Sequence, residues 1–162
     1  MENGRKIHIE GLTMRNSSGH SLLASGEGTK MEISKVTIEE CRGNGVSVYS
    51  GATLIVKDCQ IHQNGGQGVF VYGSTTTARL TNCTSRHNKF AGVTAYSGAV
   101  VDLMGERTSV HNNERYGLYA LGHGATINVY NPCVLNDMSH GNKGQNIKME
   151  YGGIVQQKDS KK

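Results

Sequence analysis

Gly45-Val46-Ser47-Val48-Tyr49-Ser50 reads, column for column, like Gly68-Val69-Phe70-Val71-Tyr72-Gly73, then Gly92-Val93-Thr94-Ala95-Tyr96-Ser97, then Gly117-Leu118-Tyr119-Ala120-Leu121-Gly122. The four lines start about 23 to 25 residues apart. Ser21-Leu22-Leu23-Ala24-Ser25-Gly26 extends the series backwards, and Gly144-Gln145-Asn146-Ile147-Lys148-Met149 extends it forwards in degraded form, giving about six units. A fixed period of this length marks a repeat architecture, in which each unit buries its apolar face against the next.

Outside the quoted lines the same step persists. A second alternating run follows each first one, as in Thr53-Leu54-Ile55-Val56, Thr77-Ala78-Arg79-Leu80, Val100-Val101-Asp102-Leu103 and Thr126-Ile127-Asn128-Val129. A third, weaker run is read in Val36-Thr37-Ile38, Gln60-Ile61-His62, Thr84-Ser85-Arg86 and Thr108-Ser109-Val110. Strands this short cannot form a sheet within one coil and must stack on their own copies. The expected fold is therefore all-β: a parallel solenoid of about six coils of roughly 24 residues, on the order of 30 Å long at the usual strand spacing. A leucine-rich repeat would need its Leu-x-x-Leu-x-Leu-x-x-Asn signature, and a propeller blade a period of about forty residues.

Period-two alternation points Leu22/Ala24, Val46/Val48, Val69/Val71, Val93/Ala95 and Leu118/Ala120 inward as one ladder, with Leu54/Val56 beginning another. Cys59 falls above Cys83, and Asn64, Asn88 and Asn112 recur at steps of 24 with Cys41 one coil earlier. Asparagine tolerates left-handed backbone, and stacked amides hydrogen-bond from coil to coil. Glycine is read as the turn residue throughout.

Ile61 to Val71 with Asn64, and Ser85 to Ala95 with Asn88, follow the pattern Ile/Val-x-x-Asn, a short gap, then Gly-Val-x-Val and a further alternating strand. In this the chain resembles the parallel β-helix repeat family, the pectate-lyase-like solenoids, over roughly Ile7 to Val155. The resemblance implies a right-handed, single-stranded parallel β-helix. The length fits one domain over 1–162 with 156–162 a polar tail, and ends without a dedicated capping helix read as those of a piece of a longer chain. It is specific for fold and loose for function: such solenoids occur in pectin- and alginate-modifying enzymes, in phage tailspikes, and as non-catalytic repeats within F-box-type ubiquitin-ligase adaptors.

Composition narrows the classes. Twenty-two glycines with one proline, no tryptophan and two phenylalanines suit short strands between turns rather than a bulky globular core. The net charge of +4 owes much to Lys158, Lys161 and Lys162 rather than to one patch, so no nucleic-acid partner is expected. No apolar run approaches membrane-spanning length, so a soluble chain is the expectation, and the polar start Met1 to Arg5 shows no secretory h-region, which favours the cytoplasm unless a leader has been trimmed away. The sequons at Asn16 and Asn82 are then fortuitous. Four cysteines without a Cys-x-x-Cys read as buried thiols, with Cys59 and Cys83 a buried pair within disulfide reach.

The resemblance places the substrate groove of polysaccharide-acting members on the outer face of one sheet. Here the outward positions of the Gly-Val-x-Val strand are Ser47, Phe70, Thr94 and Tyr119, with Tyr49, Tyr72 and Tyr96 two places along. Tyr49, Phe70, Tyr72, Tyr96 and Tyr119 are thus the candidate ligand-binding residues, wide apolar rings with polar tips, unless loops or a second copy cover them. Glycoside hydrolysis needs two carboxylates about 5 to 9.5 Å apart, and Asp58, Asp102, Glu106 and Asp137 are scattered. Gly122-His123-Gly124 is similar to one polygalacturonase motif, but its acidic partner motifs are missing and the glycines read more simply as a turn. His87 and His111, with Gln63 one coil earlier, form a column beside Arg86 and His62, but without a third ligand no metal or cofactor is expected. The leading expectation is a non-catalytic module binding a carbohydrate or protein partner along one sheet face, with end-to-end homo-oligomers through uncapped edges. Its rival is a lyase, hydrolase or epimerase of acidic polysaccharides drawing on Arg79, Arg86 or His123.

Overall fold

A computed structural model describes residues 5–16 and 18–160; Met1–Gly4, Ser17 and the terminal Lys161 and Lys162 lie outside the described residues, and with them most of the polar start and part of the basic tail. Three runs per coil fold into three parallel sheets. Sheet A comprises β1 (Lys6–Glu10), β4 (Lys30–Ser34), β7 (Thr53–Lys57), β10 (Thr77–Thr81), β13 (Val100–Met104), β16 (Thr126–Tyr130) and β19 (Ile154–Lys158), in that spatial order. Sheet B comprises β2 (Thr13–Met14), β5 (Thr37–Glu39), β8 (Gln60–His62), β11 (Thr84–Arg86), β14 (Ser109–His111) and β17 (Ser139–His140). Sheet C comprises β3 (Leu22–Ser25), β6 (Val46–Tyr49), β9 (Val69–Tyr72), β12 (Ala91–Tyr96), β15 (Tyr116–Leu121) and β18 (Gln145–Glu150). One helical turn, α1 (Leu135–Met138), interrupts the last B-side passage.

Neighbouring coils lie in register. Val48 pairs with Val71, Val71 with Ala95 and Ala95 with Ala120, and all four are fully buried. Leu54, Ala78, Val101 and Ile127 line the opposite wall from sheet A. β-Branched and small residues fit this narrow interior because each packs on its own copy one strand spacing away.

The amide ladder differs from the expectation at one rung. Asn64 Nδ2 donates to Asn88 Oδ1 at 2.9 Å, Asn88 Nδ2 to Asn113 Oδ1 at 3.0 Å, and Asn113 Nδ2 to Asn142 Oδ1 at 2.9 Å. Asn113, not Asn112, holds the place, because the turn between β13 and β14 spans residues 105–108 whereas that between β10 and β11 spans only 82–83. Cys41 begins the column, its backbone N–H donating to Asn64 Oδ1 at 3.1 Å. Nor do the ladder residues supply left-handed backbone: the residues just before them do, Gln63, His87 and Asn112 at φ 55°, 53° and 54°.

Repeat glycines are a second correction. Gly68 is not at positive φ; a Cβ there would sit 2.2 Å from Ser85 Oγ and 2.6 Å from the Gly92 carbonyl oxygen, so glycine is required for space where one coil crosses the next. Gly122 and Gly124, by contrast, are left-handed turn residues flanking His123, as their simpler reading held.

Strand β19 occupies the first part of the segment whose composition reads as a polar tail. Gln156 Nε2 donates to Asn128 Oδ1 at 2.9 Å and Gln157 Nε2 to the Val129 carbonyl at 3.0 Å, so both amides have partners in the coil beneath. At the solenoid's two ends inward-column residues reach solvent, Ile7 at one and Met149 at the other. No helix among the described residues is long and apolar enough to cross a membrane.

Candidate functional site

On the outer face of sheet C two columns run across the coils. One holds Leu23, Ser47, Phe70, Thr94, Tyr119 and Lys148, the other Ser25, Tyr49, Tyr72, Tyr96, Leu121 and Glu150. The in-register pairing brings four of the five candidate rings into one cluster. Tyr72 and Tyr96 have ring centroids 5.2 Å apart at 52°, Tyr49 and Phe70 5.8 Å apart edge to face, and Phe70 lies 6.4 Å from both Tyr72 and Tyr96. These are favourable aromatic separations, so the rings hold one another in place. Tyr72 and Tyr96 are 41% and 36% exposed, Tyr49 and Phe70 half-buried.

Three other positions of the outward column are covered. Ser47 is buried beneath Asn44, whose Nδ2 donates to its Oγ at 3.2 Å, and Thr94 is buried between Phe70 and Tyr119. Tyr119 itself is only 8% exposed, packed at 4.9 Å against Tyr116 and 6.1 Å against Phe90, while Arg115 stands 5.1 Å over the Phe90 ring. Three of the positions read as outward, Ser47, Thr94 and Tyr119, are therefore closed to a ligand. Phe90 and Tyr116, which do the covering, were missed by sequence reasoning; their signal is an aromatic immediately before the repeat's small residues, at Phe90-Ala91-Gly92 and Tyr116-Gly117.

Electrostatics divide the face in the same way. Tyr119 donates its phenol proton to Glu150 Oε2 at 2.6 Å, and Lys148 Nζ stands 3.3 Å from the same carboxylate. Burial and then the Glu150 bond push the Tyr119 phenol well above the usual range, and the same bond, followed by that from Lys148, holds the Glu150 carboxyl below its own. This end is a closed, ion-paired patch, whereas the Tyr49–Tyr96 end is an open ring cluster.

The remaining candidates do not converge. Arg79 is on sheet A, 3.8 Å from Asp102, which also accepts from Asn128 Nδ2 at 3.0 Å. Arg86 is on sheet B, and His123 lies in the turn between sheets C and A. Asp58 pairs with Arg107 at 2.7 Å, Glu106 lies beside Pro132, and Asp137 is part of α1. Among the described residues no group of three His, Cys, Asp or Glu is placed to hold a metal. The expected His87/His111 stack is displaced by the long turn before β14: His111 lies on Arg86, His87 meets it edge to face at 6.4 Å, and the parallel partner of His111 is His140, at 5.1 Å and 4°.

All four cysteines are free, buried thiols. Its contact with Cys59, then burial, holds the Cys83 thiol well above the usual range, and burial pushes Cys133 up to about 11.

Three in-register parallel sheets, a buried amide column and coils about 24 residues apart leave one assignment, and the sequence matches the description "Right handed beta helix region" over residues 1–134. The chain belongs to the right-handed β-helix family. No curated protein and no solved structure matches this β-helix.

Proposed function

We propose that this β-helix is a non-catalytic binding module that takes a carbohydrate on the outer face of sheet C. The observation that carries the reading is the cluster of Tyr49, Phe70, Tyr72 and Tyr96, four rings packed side to side with two of them open to solvent. Packed rings lose little conformational freedom when a ligand stacks on them, and tyrosine offers an apolar face to a sugar ring with a hydroxyl at its edge. The face is a shallow platform on rigid strands, suited to an extended chain of sugars rather than a small enclosed ligand.

An enzyme acting on acidic polysaccharides would draw on Arg79, Arg86 or His123, which stand on three different parts of the coil. A protein partner is the second reading, favoured by Leu23, 56% exposed at the N-terminal end of the same outward column.

A glycan array probed with the whole chain and with Tyr72→Ala/Tyr96→Ala tests the proposal. The expected result is a signal for at least one neutral or acidic glycan class that the double variant loses, with its melting temperature close to that of the parent. Absence of any glycan signal, or a signal unchanged in the variant, overturns it; a pull-down signal carried by Leu23 and the rings alone selects the protein reading.

A further inference from the structure

Sheet B carries its own outward column, Glu39, His62, Arg86, His111 and His140, with Arg15, the residue just after β2, at its N-terminal end. Its N-terminal half is charge-matched from coil to coil: Arg15 Nε donates to Glu39 Oε1 at 2.8 Å, and His62 Nε2 stands 3.2 Å from Glu39 Oε2. The C-terminal half is not matched. Arg86 Nη1 donates to His87 Nδ1 at 3.2 Å, His111 stacks on His140, and no carboxylate among the described residues forms an ion pair with Arg86, His87, His111 or His140.

The surrounding elements bring carboxylates, but among the described residues none of them is ion-paired to these four side chains. β8 brings His62, already engaged by Glu39; the turn before β14 brings Glu106 and Arg107, the latter paired with Asp58; α1 brings Asp137, which forms no ion pair with the column; beyond the amide ladder Glu114 pairs with Lys143. A second observation points the same way. Among the described residues the buried His111 Nδ1 has no hydrogen-bond partner, so a proton on that nitrogen finds no acceptor within the protein.

We propose that Arg86, His87, His111 and His140 form a proton-gated site for an oxyanion, the carboxylate, sulfate or phosphate group of a small ion or of an acidic glycan. A guanidinium fork supplies two parallel donors to such a group, and imidazolium rings one coil apart supply N–H donors and charge once protonated. The anion takes the place that Glu39 fills two coils earlier. The site is on a different face from the ring cluster and stands or falls independently of the glycan reading given above.

Imidazole proton resonances of the full chain, followed by NMR at pH 5.5 and pH 8 while sodium sulfate, sodium phosphate, galacturonate or oligogalacturonate is added at constant ionic strength in chloride, test the proposal. At pH 5.5 the His111 and His140 signals shift saturably with at least one of these anions. Arg86→Gln weakens that binding about tenfold, the loss of one charge-assisted hydrogen bond, and raising the pH to 8 weakens it at least as much. Oligogalacturonate binding more tightly than galacturonate at equal carboxylate places the anion on a glycan; equal binding places it on the free ion, and both support the site. Shifts that never saturate, that chloride reproduces, or that persist unchanged in both Arg86→Gln and His140→Gln overturn it; His140 is exposed, so its variant retains the fold.

Discussion

Two polar ladders climb this solenoid side by side, and register has opposite consequences for them. The buried one repeats an amide, Asn64, Asn88, Asn113 and Asn142; the outer one, two residues earlier in each coil, repeats ionisable groups, His62, Arg86, His111 and His140. A carboxamide is its own complement, with acceptor and donor on one plane, so stacking copies satisfies each rung through the next. Imidazolium and guanidinium carry the same charge, so stacking copies of those subtracts unless something anionic intervenes. The same geometry that stabilises the interior therefore leaves an unmatched site outside.

The largest expected effect comes from breaking the self-complementary ladder. Asn88 accepts the Asn64 backbone N–H at 3.2 Å as well as its side-chain amide, and donates to Asn113 and to the Ser85 hydroxyl at 3.2 Å. Asn88→Leu leaves several of these groups unmatched in a dry interior. At about 1–3 kcal/mol for each buried unsatisfied group, the loss is roughly 3 to 5 kcal/mol in urea unfolding. A loss below about 1 kcal/mol would remove the distinction between the two ladders.

A smaller effect, of opposite character, is expected outside. Burial, together with His140, Arg86 and His87, holds the His111 imidazole below its ordinary value of 6.5. The unfolded chain then binds the extra proton more readily, so stability is full above pH 6.5 and declines as the pH falls below it, towards the folded value. Carboxylates such as Glu10 and Glu32, lowered by Lys35 and Lys30, contribute above their ordinary 4.5 and lose that contribution only as the pH falls further. Thermal unfolding compared at pH 7.5 and pH 5.3 isolates the histidine step: the parent is less stable at the lower pH, and His111→Gln narrows that difference. An equal or wider gap in the variant would assign the loss elsewhere.

How much of this could be read beforehand follows from the same contrast. The inward columns were legible because every coil must offer an apolar residue at the same place, as Val48, Val71, Ala95 and Ala120 do. The open rings were legible as a repeated tyrosine. What was hidden depended on turns whose lengths vary: two additional residues before β14 move Asn113 into the ladder and set His111 on Arg86, where a constant step of 24 lands on Asn112 and on His87. Equally hidden was the cover over Tyr119, because Phe90 and Tyr116 lie outside the repeating hexamer.

All of these surfaces rest on residues about two dozen places apart meeting across adjacent coils, and Tyr72 and Tyr96 are the exposed pair that reports it most directly. In-register parallel strands put their Cα atoms about 4.8 Å apart, within disulfide range. Mild oxidation of Tyr72→Cys/Tyr96→Cys, read by peptide mapping, is predicted to join the two positions far faster than Tyr72→Cys/Arg79→Cys, whose sites lie on different sheets. No bridge between positions 72 and 96, or bridges formed equally well in both variants, would contradict the account.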